Sequence, residues 1–153
     1  MYPNLGGRDL GRLVDDDLDL VLADTVAGEA GADFVRTYDF DMFLCGNPQP
    51  AGRISLRIWT TDYFVRYVGH LAYFVAPEFR GHRYAARACK LLMPLARRHG
   101  LRSLWITCNP DNIASRRTCE LVGAELVEVV DVPEGTPLYQ RGERQKCRYR
   151  LDL

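Results

Sequence analysis

The fold is decided where an apolar strand passes into a helix, at residues 75–85, which read VAPEFRGHRYA. Pro77 ends the strand, because proline has no N–H group to donate to a neighbouring strand. From about Arg83 to His99 the apolar residues recur at helical spacing, and Gly100 stands where a helix C-cap is expected. The stretch therefore predicts a strand, a turn and a helix, with the N–H groups of the turn gathered at the helix N-terminus.

Such a turn is suited to binding a phosphate group. Its backbone N–H groups and the first helical turn both favour an anion, and Arg80, His82 and Arg83 add positive charge at the same place. Each favourable charge at an exposed helix end contributes about 0.3–1 kcal/mol, so several acting on a pyrophosphate would give useful affinity. A solvated, basic helix start is the alternative that local composition leaves open.

Strands flank this unit on both sides along the chain. The turn at residues 46–52, GNPQPAG, predicts a hairpin between its neighbouring strands. The order of elements is four strands, a helix, a strand, a helix and two strands, which indicates a mixed α/β (α+β) fold. The predicted strands are Leu18 to Leu22, Tyr38 to Leu44, Ile54 to Trp59, Tyr67 to Val75, Leu101 to Cys108, Ala124 to Val130 and Cys147 to Leu153, and the predicted helices are Arg83 to His99 and Asn112 to Val122.

Length and composition predict a single globular domain over residues 1–153. Hydrophobic residues make up 47% of the chain and charged residues 26%, which suffices for a core at this length. No stretch approaches the roughly 20 apolar residues of a membrane span. The N-terminus, MYPNLGGRDLGRLVDDD (residues 1–17), has acids where a secretory signal needs a basic and then an apolar run. A cytoplasmic protein that does not bind a membrane is expected.

The cysteines predict free thiols rather than disulfides or a metal site. They are odd in number and irregularly spaced, and the three histidines add no ligand pattern. We therefore expect mostly buried thiols and no metal cofactor. The five cysteines are Cys45, Cys89, Cys108, Cys119 and Cys147.

Charge is unevenly distributed along a chain whose formal net charge is zero. Residues 1–45 hold 10 acids and 3 bases, whereas residues 46–119 hold 12 bases and 3 acids. A basic middle suits an anionic ligand, and an acidic first third could attract a cationic one. Mixing of the two blocks in space, with cancellation of their fields, is equally open.

A second stretch that bears on function follows the fifth predicted strand and reads CNPDNIASRRTCELVGA (residues 108–124). Asn112 is a good helix N-cap there, and Gly123 a good C-cap. With residues 80–85, this stretch resembles the cofactor-binding motifs of the GNAT superfamily of N-acetyltransferases. RGHRYA resembles the family's acyl-CoA loop, Arg/Gln-x-x-Gly-x-Gly/Ala, and residues 109–115 resemble its Asn-x-x-Ser/Ala stretch. The second motif is most similar to that of the branch with ribosomal-protein, polyamine and aminoglycoside acetyltransferases.

The resemblance implies a mixed, mostly antiparallel sheet whose fourth and fifth strands splay apart around acetyl-CoA. It also implies transfer of the acetyl group to an amine of a small molecule or peptide, by direct attack on the thioester. Arg83 departs from the pattern, since it replaces the inner glycine; an arginine keeps the same backbone path if its φ is negative, and its guanidinium can compensate. The implied cofactor-binding residues are Phe74, Val75, Arg80, Gly81, His82, Arg83, Tyr84, Ala85, Asn109, Asn112 and Ser115, with N–H groups near Phe74 and Val75 polarising the carbonyl.

The resemblance says less about the catalytic residues. Many relatives carry a tyrosine acid on the second helix, and Cys119 occupies that position here, with a buried structural thiol as its alternative role. Ser115 is the alternative donor. His70, on the fourth strand, has an intrinsic pKa that suits a base, although a structural role stays open. Weaker candidates for the base are Asp39, Asp41 and Glu78.

The acceptor site is the part that this sequence abbreviates. GNAT proteins usually have two helices between their first two strands. Here only residues 23–37 separate those strands, and these residues show no amphipathic pattern. The site is therefore open, completed by a second subunit in a homodimer, or covered by the loop at residues 133–146, which is long enough for a lid. An ordinary hairpin connection is the other role open to that loop.

Two other functions stay open. The abbreviated acceptor region and the missing helix tyrosine are consistent with a non-catalytic acyl-CoA-binding or sensing module. A nucleic-acid-binding domain would use the basic middle, but the sequence shows no aromatic stacking motif and no reader helix. A nucleic-acid partner is therefore not expected.

Overall fold

The fold is seen in a computed structural model that describes Leu10 and residues 13–153. The N-terminal stretch whose acids argue against a secretory signal lies mostly outside the described residues. A 3₁₀ turn, Pro77–Phe79, precedes the longest helix. In chain order the strands and helices are β1 (Val14–Asp15), β2 (Leu18–Ala27), β3 (Phe34–Leu44), β4 (Gly52–Trp59), α1 (Asp62–Tyr67), β5 (Leu71–Val75), α2 (Tyr84–Arg98), β6 (Ser103–Cys108), α3 (Ile113–Leu121), β7 (Glu125–Asp131), α4 (Pro137–Gln140) and β8 (Gln145–Asp152).

The first five strands form one antiparallel sheet in the order β1-β2-β3-β4-β5. β3 and β4 are the hairpin that residues 46–52 predict, and Met42 lies opposite Gly52 next to the turn. Side chains alternate along both strands, because successive residues of a strand point to opposite faces. One face builds the core with the buried residues Tyr38, Phe40, Met42, Ile54, Leu56 and Ile58.

The last three strands form a second antiparallel sheet in the order β6-β8-β7. β8 lies in the middle, and its buried Cys147, Tyr149 and Leu151 follow the alternation that the sequence predicts. The two main helices are also confirmed, with ends within one residue of the predicted ones. α2 contacts β4 and β5 and buries Ala88, Leu92 and Leu95 on one side, as helical spacing requires.

The two sheets meet at the start of β5 and then separate. Gly69 forms a bridge with Ile106 of β6, and the His70 N–H donates to the Trp105 carbonyl at 2.7 Å. From Leu71 onward β5 is paired with β4, whereas β6 is paired with β8. β5 and β6 are the fourth and fifth strands of the sequence analysis, since the short β1 precedes the first strand that it predicts. Their predicted splay is confirmed.

The fourth predicted strand is wrong at its start. Asp62–Tyr67 form α1, and the strand begins only at Leu71. A short apolar run does not distinguish a strand from a helix, and distant contacts decide here. Phe64 stacks on Trp59 with ring centroids 4.6 Å apart, and the Trp59 indole N–H donates to the Gly69 carbonyl at 2.6 Å. Gly69, with a φ of 79°, then turns the chain from α1 into β5.

Two loops bear on the acceptor site that the sequence analysis expects. Between β2 and β3 the described chain forms no helix, because the two strands continue their pairing as far as Ala27 and Arg36. The predicted reduction of the N-terminal helices is thus confirmed. The loop at residues 133–146 contains α4, which the sequence does not predict. The Thr136 Oγ1 accepts from the Tyr139 N–H at 3.4 Å at its N-terminus, and Leu138 is buried.

All five cysteines carry free thiols, and four of them are buried, as the sequence predicts. Cys45 is the exposed one. Within the part of the chain that the structure describes, no helix is both long enough and apolar enough to cross a membrane.

Candidate active site

A cavity of about 510 Å³ opens where β5 and β6 separate. We refer to it as the first cavity. It is lined by the end of β5, by the turn before α2 and by one side of α3. All but one of the residues that the sequence analysis assigns to the cofactor line this cavity. They are Phe74, Val75, Arg80, Gly81, His82, Arg83, Tyr84, Ala85, Asn112 and Ser115.

The lining of the first cavity is basic. Arg80, His82, Arg83 and Arg117 belong to it, and none of the carboxylates in the described residues does. The Arg80 Nε donates to the carbonyl of residue 75 at 2.9 Å, and its guanidinium lies 5.6 Å from the ring centroid of Phe74. A concave, basic turn ahead of a helix is suited to a pyrophosphate.

Arg83 has an unusual backbone conformation for an arginine. Its φ is 62°, in the left-handed region, directly before α2 begins. The condition of a negative φ, under which an arginine would follow this path without strain, is therefore not met. Glycine adopts a positive φ at no steric cost, whereas an arginine there is strained by its Cβ. Arg83 thus has a backbone conformation suited to the glycine of the family pattern, and it adds a guanidinium to the turn.

Asn112 and Ser115 form the N-terminus of α3. The Asn112 Oδ1 accepts from the Ser115 N–H at 3.1 Å, which confirms the predicted N-cap. This bond holds both side chains at the start of the helix, where they line the first cavity.

A second cavity, of about 280 Å³, adjoins the first. Tyr73, Asn112 and Ser115 line both, so the two cavities meet at these residues. The rest of its lining comes from β4 and β5, from the ends of α1 and β6, from the loop that contains α4 and from the start of β8. Asn109, which the sequence analysis assigns to the cofactor, lies here instead.

Hydroxyl and thiol groups gather at this junction. The Tyr73 Oη lies 2.8 Å from the Ser115 Oγ and 3.7 Å from the Cys119 Sγ. Burial raises the pKa of Tyr73 above its ordinary value, so the phenol is protonated at neutral pH. Cys119 is fully buried and lines neither cavity. A hydrogen bond with the Cys108 thiol, together with burial, raises the pKa of Cys119.

Tyr73 is the site residue that the sequence analysis misses. A tyrosine in a predicted strand gives no sign of its partner, because Ser115 is 42 residues further along the chain. One signal was available. Cys119 stands where the resemblance implies a tyrosine, which leaves room for a phenol from a facing strand.

His70 lies in the joint between the two sheets. Its Nδ1 accepts from the Trp105 N–H at 2.9 Å, and its side chain is buried. Burial also lowers the pKa of His70 to about 4, so the ring is neutral at physiological pH. His70 lines neither of the two cavities.

The carboxylates named as weaker candidates lie elsewhere too. The Asp39 Oδ1 accepts from the Ser55 hydroxyl, and Asp41 pairs with Arg53 at 3.1 Å. Neither of these carboxylates nor Glu78 lines a cavity. Among the described residues, no three histidine, cysteine, aspartate or glutamate side chains converge as metal ligands would.

A family model described as an acetyltransferase (GNAT) domain matches residues 18–125. The match spans β2 to β6, the turn before α2, and the helices α2 and α3. None of the curated protein sequences matches the chain.

Solved structures with a similar fold include three acetyltransferases. The microcin C7 self-immunity acetyltransferase MccE, in complex with acetyl-CoA and AMP, is 17% identical over 76% of this chain and 61% of its own, with a TM-score of 0.56. The ribosomal L7/L12 α-N-protein acetyltransferase RimL, in complex with coenzyme A, is 19% identical over 76% and 62%, with a TM-score of 0.59. A putative ribosomal-protein-serine acetyltransferase from Vibrio cholerae is 17% identical over 76% and 64%, with a TM-score of 0.58. This chain thus spans less than two thirds of each of them, and at these identities the likeness is one of fold.

Proposed function

Because this chain belongs to the GNAT acetyltransferase domain family, we propose that it transfers an acetyl group from acetyl-CoA to an amine. The observation that carries the proposal is the meeting of a basic cavity and a second, smaller cavity at Tyr73 and Ser115. The first cavity takes the cofactor and the second takes the acceptor. The MccE and RimL structures contain acetyl-CoA and coenzyme A, respectively, which supports the choice of cofactor.

The residues of the first cavity fit acetyl-CoA. Arg80, His82 and Arg83 bind the pyrophosphate with the N–H groups of the turn, since charge-assisted hydrogen bonds to phosphate are strong. Asn112 and Ser115 contact the pantetheine arm where the cavities meet. We assign Asn109 to the acceptor, because it lines the second cavity.

Acetyl-CoA, when bound, supplies a thioester carbon that a neutral amine can attack. In the transfer a C–N bond forms, the C–S bond breaks, and one proton passes overall from the nitrogen to the sulfur. The chain holds both reactants at the junction of the two cavities, so the amine attacks from a fixed position and no bimolecular encounter is needed. The Val75 N–H polarises the thioester carbonyl, because the alternation of the β4–β5 ladder turns it away from β4 and commits the Phe74 N–H to that strand.

We propose that the Tyr73 hydroxyl donates a hydrogen bond to the departing thiolate, and that Ser115 supports Tyr73 in this role. Cys119 is too deeply buried to reach a cofactor in the first cavity. The Tyr73 phenol lies 3.7 Å from its sulfur, near the place where the resemblance implies a tyrosine. It is protonated at neutral pH, so it can stabilise the negative charge that develops on sulfur.

On the acceptor side, Glu143 is the carboxylate that lines the second cavity within the described residues. Its Oε2 is buried and has no hydrogen-bond partner, so it can accept a proton or a hydrogen bond from the amine. We assign His70 a positioning role, because its ring nitrogen is occupied by the Trp105 N–H. It holds β5 against β6 beside the second cavity, which its neighbours Val68 and Leu71 line.

We further propose that residues 1–153 act as one domain in the cytoplasm. Four buried free thiols suit a reducing compartment. A homodimer would form along β7, an edge strand of the second sheet, whose Leu126, Val127 and Val129 are exposed. Light scattering at several concentrations tests this assembly.

Release of the coenzyme A thiol tests the activity. The purified chain is mixed with acetyl-CoA and, in turn, small amines, amino acids, polyamines, aminoglycosides and peptides, and the products are identified by mass spectrometry. Acceptor-dependent release with an acetylated amine is expected. Tight binding of acetyl-CoA with no acceptor consumed in any class would instead indicate the non-catalytic sensing module.

A further inference from the structure

The second cavity carries more positive than negative charge. Arg57, Arg141 and Lys146 line it, with Glu143 as the single acid of the described residues that does so. The cavity is at the small end of ligand sites, so one charged group of a ligand would lie close to these side chains. Its electrostatics therefore constrain the acceptor.

Arg57 is the cation with no acid to pair with. In the described part of the chain no carboxylate lies within ion-pair distance of its guanidinium, and Asp39 acts on it only at longer range. Burial lowers the pKa of Arg57, because a partly buried guanidinium loses contact with water. Charged side chains that are partly buried are normally paired. An anion in the cavity would supply the missing partner.

The other charges come from the loop that contains α4 and from the start of β8, which follows it. The Lys146 Nζ donates to the Glu143 Oε1 at 2.9 Å, and the Arg141 Nη2 lies 3.8 Å from the Glu143 Oε2. Glu143 thus neutralises one of the two cations. In the same cavity, the Asn109 Oδ1 and the Glu143 Oε2 are buried and accept no hydrogen bond. Buried acceptors of this kind call for an N–H or O–H donor.

No acid of residues 13–45, the described part of the acidic first third, lines this cavity. Asp15 and Asp17 both pair with Arg87, each at 2.7 Å, and Asp41 pairs with Arg53. None of these carboxylates lines either cavity. The acidic block therefore gives no reason to expect a polycationic acceptor.

We propose that the acceptor is a small primary amine that also carries an anionic group, a carboxylate or a phosphate. Arg57 binds the anionic group, with Lys146 and Arg141 nearby, while the Asn109 Oδ1 and the Glu143 Oε2 accept hydrogen bonds from the nitrogen. The inference rests on the proposed function only in taking the second cavity as the acceptor site.

Binding of matched amines tests the proposal without requiring turnover. With coenzyme A present at saturation, dissociation constants are measured by ligand-observed NMR for β-alanine against β-alaninamide, and for O-phosphoethanolamine against ethanolamine. Putrescine serves as the dicationic reference. We expect the anionic member of at least one pair to bind about tenfold more tightly, and the two pairs distinguish carboxylate from phosphate. Equal affinities within both pairs, or a preference for putrescine, would overturn the proposal.

Variants locate the effect. Arg57→Gln should remove most of the preference, whereas Arg53→Gln, on the same strand and face but outside the cavity, should keep it. Equal loss in both variants would overturn the assignment. If Arg57→Gln does not fold, Arg141→Gln, whose side chain is 69% exposed, should lower the preference about threefold; an unchanged preference in that variant also counts against the proposal. If the preference is found but no amine is acetylated, the proposed function fails, whereas the second cavity stands as a binding site for an amine that carries an anionic group.

Discussion

A single residue, Arg83, combines a charge that suits the cofactor with a backbone conformation that suits glycine. Its φ of 62° places it among the few non-glycine residues of the described chain in the left-handed region. Strain of this kind persists where the surrounding structure determines the conformation. Here the 3₁₀ turn on one side and α2 on the other leave the residue little choice. The guanidinium gained at the first cavity is a functional reason for retaining the strain.

Substitution of Arg83 separates its two roles. Arg83→Gly and Arg83→Ala both remove the guanidinium, but only glycine accepts the positive φ without strain. We therefore expect Arg83→Gly to be more stable than Arg83→Ala by about 1 kcal/mol, with similarly weakened acetyl-CoA binding in both. Denaturant unfolding and calorimetric titration measure the two effects. Equal stability of the two variants would show that the turn relaxes.

Tyr73 is the residue on which the proposed chemistry depends. Tyr73→Phe removes the hydroxyl and leaves the ring, so kcat should fall about a hundredfold or more, in the range typical of acid–base groups. The dissociation constant of acetyl-CoA should change little, because the turn before α2 is untouched. Tyr63→Phe, on α1 and outside both cavities, is the matched control. An unaltered kcat in Tyr73→Phe would remove Tyr73 from the mechanism.

At the scale of elements, the turn and α2 act together as the anion site. α2 is long and packed against β4 and β5, so its N-terminus is held rigidly beside the end of β5. Arg80 is tied back to β5 by its bond to the Val75 carbonyl. The turn is therefore a preorganised site, and little ordering is needed when a pyrophosphate binds.

Charge reversal tests this element. Arg80→Glu and Arg83→Glu should each weaken acetyl-CoA binding by tenfold or more, since each replaces an attraction to the pyrophosphate by a repulsion. Arg53→Glu, on the exposed face of β4 and outside the first cavity, should leave the affinity nearly unchanged. Calorimetric titration at one fixed salt concentration gives the comparison. Equal losses in all three variants would mean that the cofactor binds elsewhere.

For the molecule as a whole, the joint between the two sheets is decisive. The sheets are held together at Gly69 and His70 and diverge beyond them. Both cavities are lined by residues of β5 and of elements after it, and β4 and α1 add Arg57 and Tyr67 to the second cavity. A buried, neutral histidine thus lies where the fold is opened for function.

The acid sensitivity of this joint is measurable. The pKa of His70 is about 4 in the folded chain against about 6.5 when unfolded, so between these values the unfolded state binds the extra proton. Stability is therefore lost as the pH falls, by about 2 kcal/mol from pH 7 to pH 5 for this group alone. His70→Asn keeps an acceptor for the Trp105 N–H but does not titrate. The free energy of unfolding that His70→Asn loses relative to the parent should therefore be about 2 kcal/mol smaller at pH 5 than at pH 7.

Unfolding in urea at both pH values provides the measurement. The pKa of His99 is also lowered, chiefly by burial, but its contribution is shared by both proteins and cancels in the difference. A stability difference that does not change with pH would show that His70 is not the titrating group.

Much of the fold follows from local signals in the sequence. The β3–β4 hairpin, α2 and α3 are predicted because turn residues, caps and apolar spacing act over a few positions. α1 and α4 are not predicted. α1 depends on the stacking of Phe64 against Trp59, and α4 lies in a loop whose anchor, Leu138, finds its place only in the assembled core.

The same division applies to the site. The sequence by itself determined the position of the basic turn, since its charges and its strand-to-helix setting lie within eleven consecutive residues. Only the tertiary structure decided that Tyr73 meets Ser115, and that Arg57, Asn109 and Lys146 share one cavity. Those residues come from strands and loops far apart in the chain. Their approach depends on how the two sheets diverge, which no local pattern encodes.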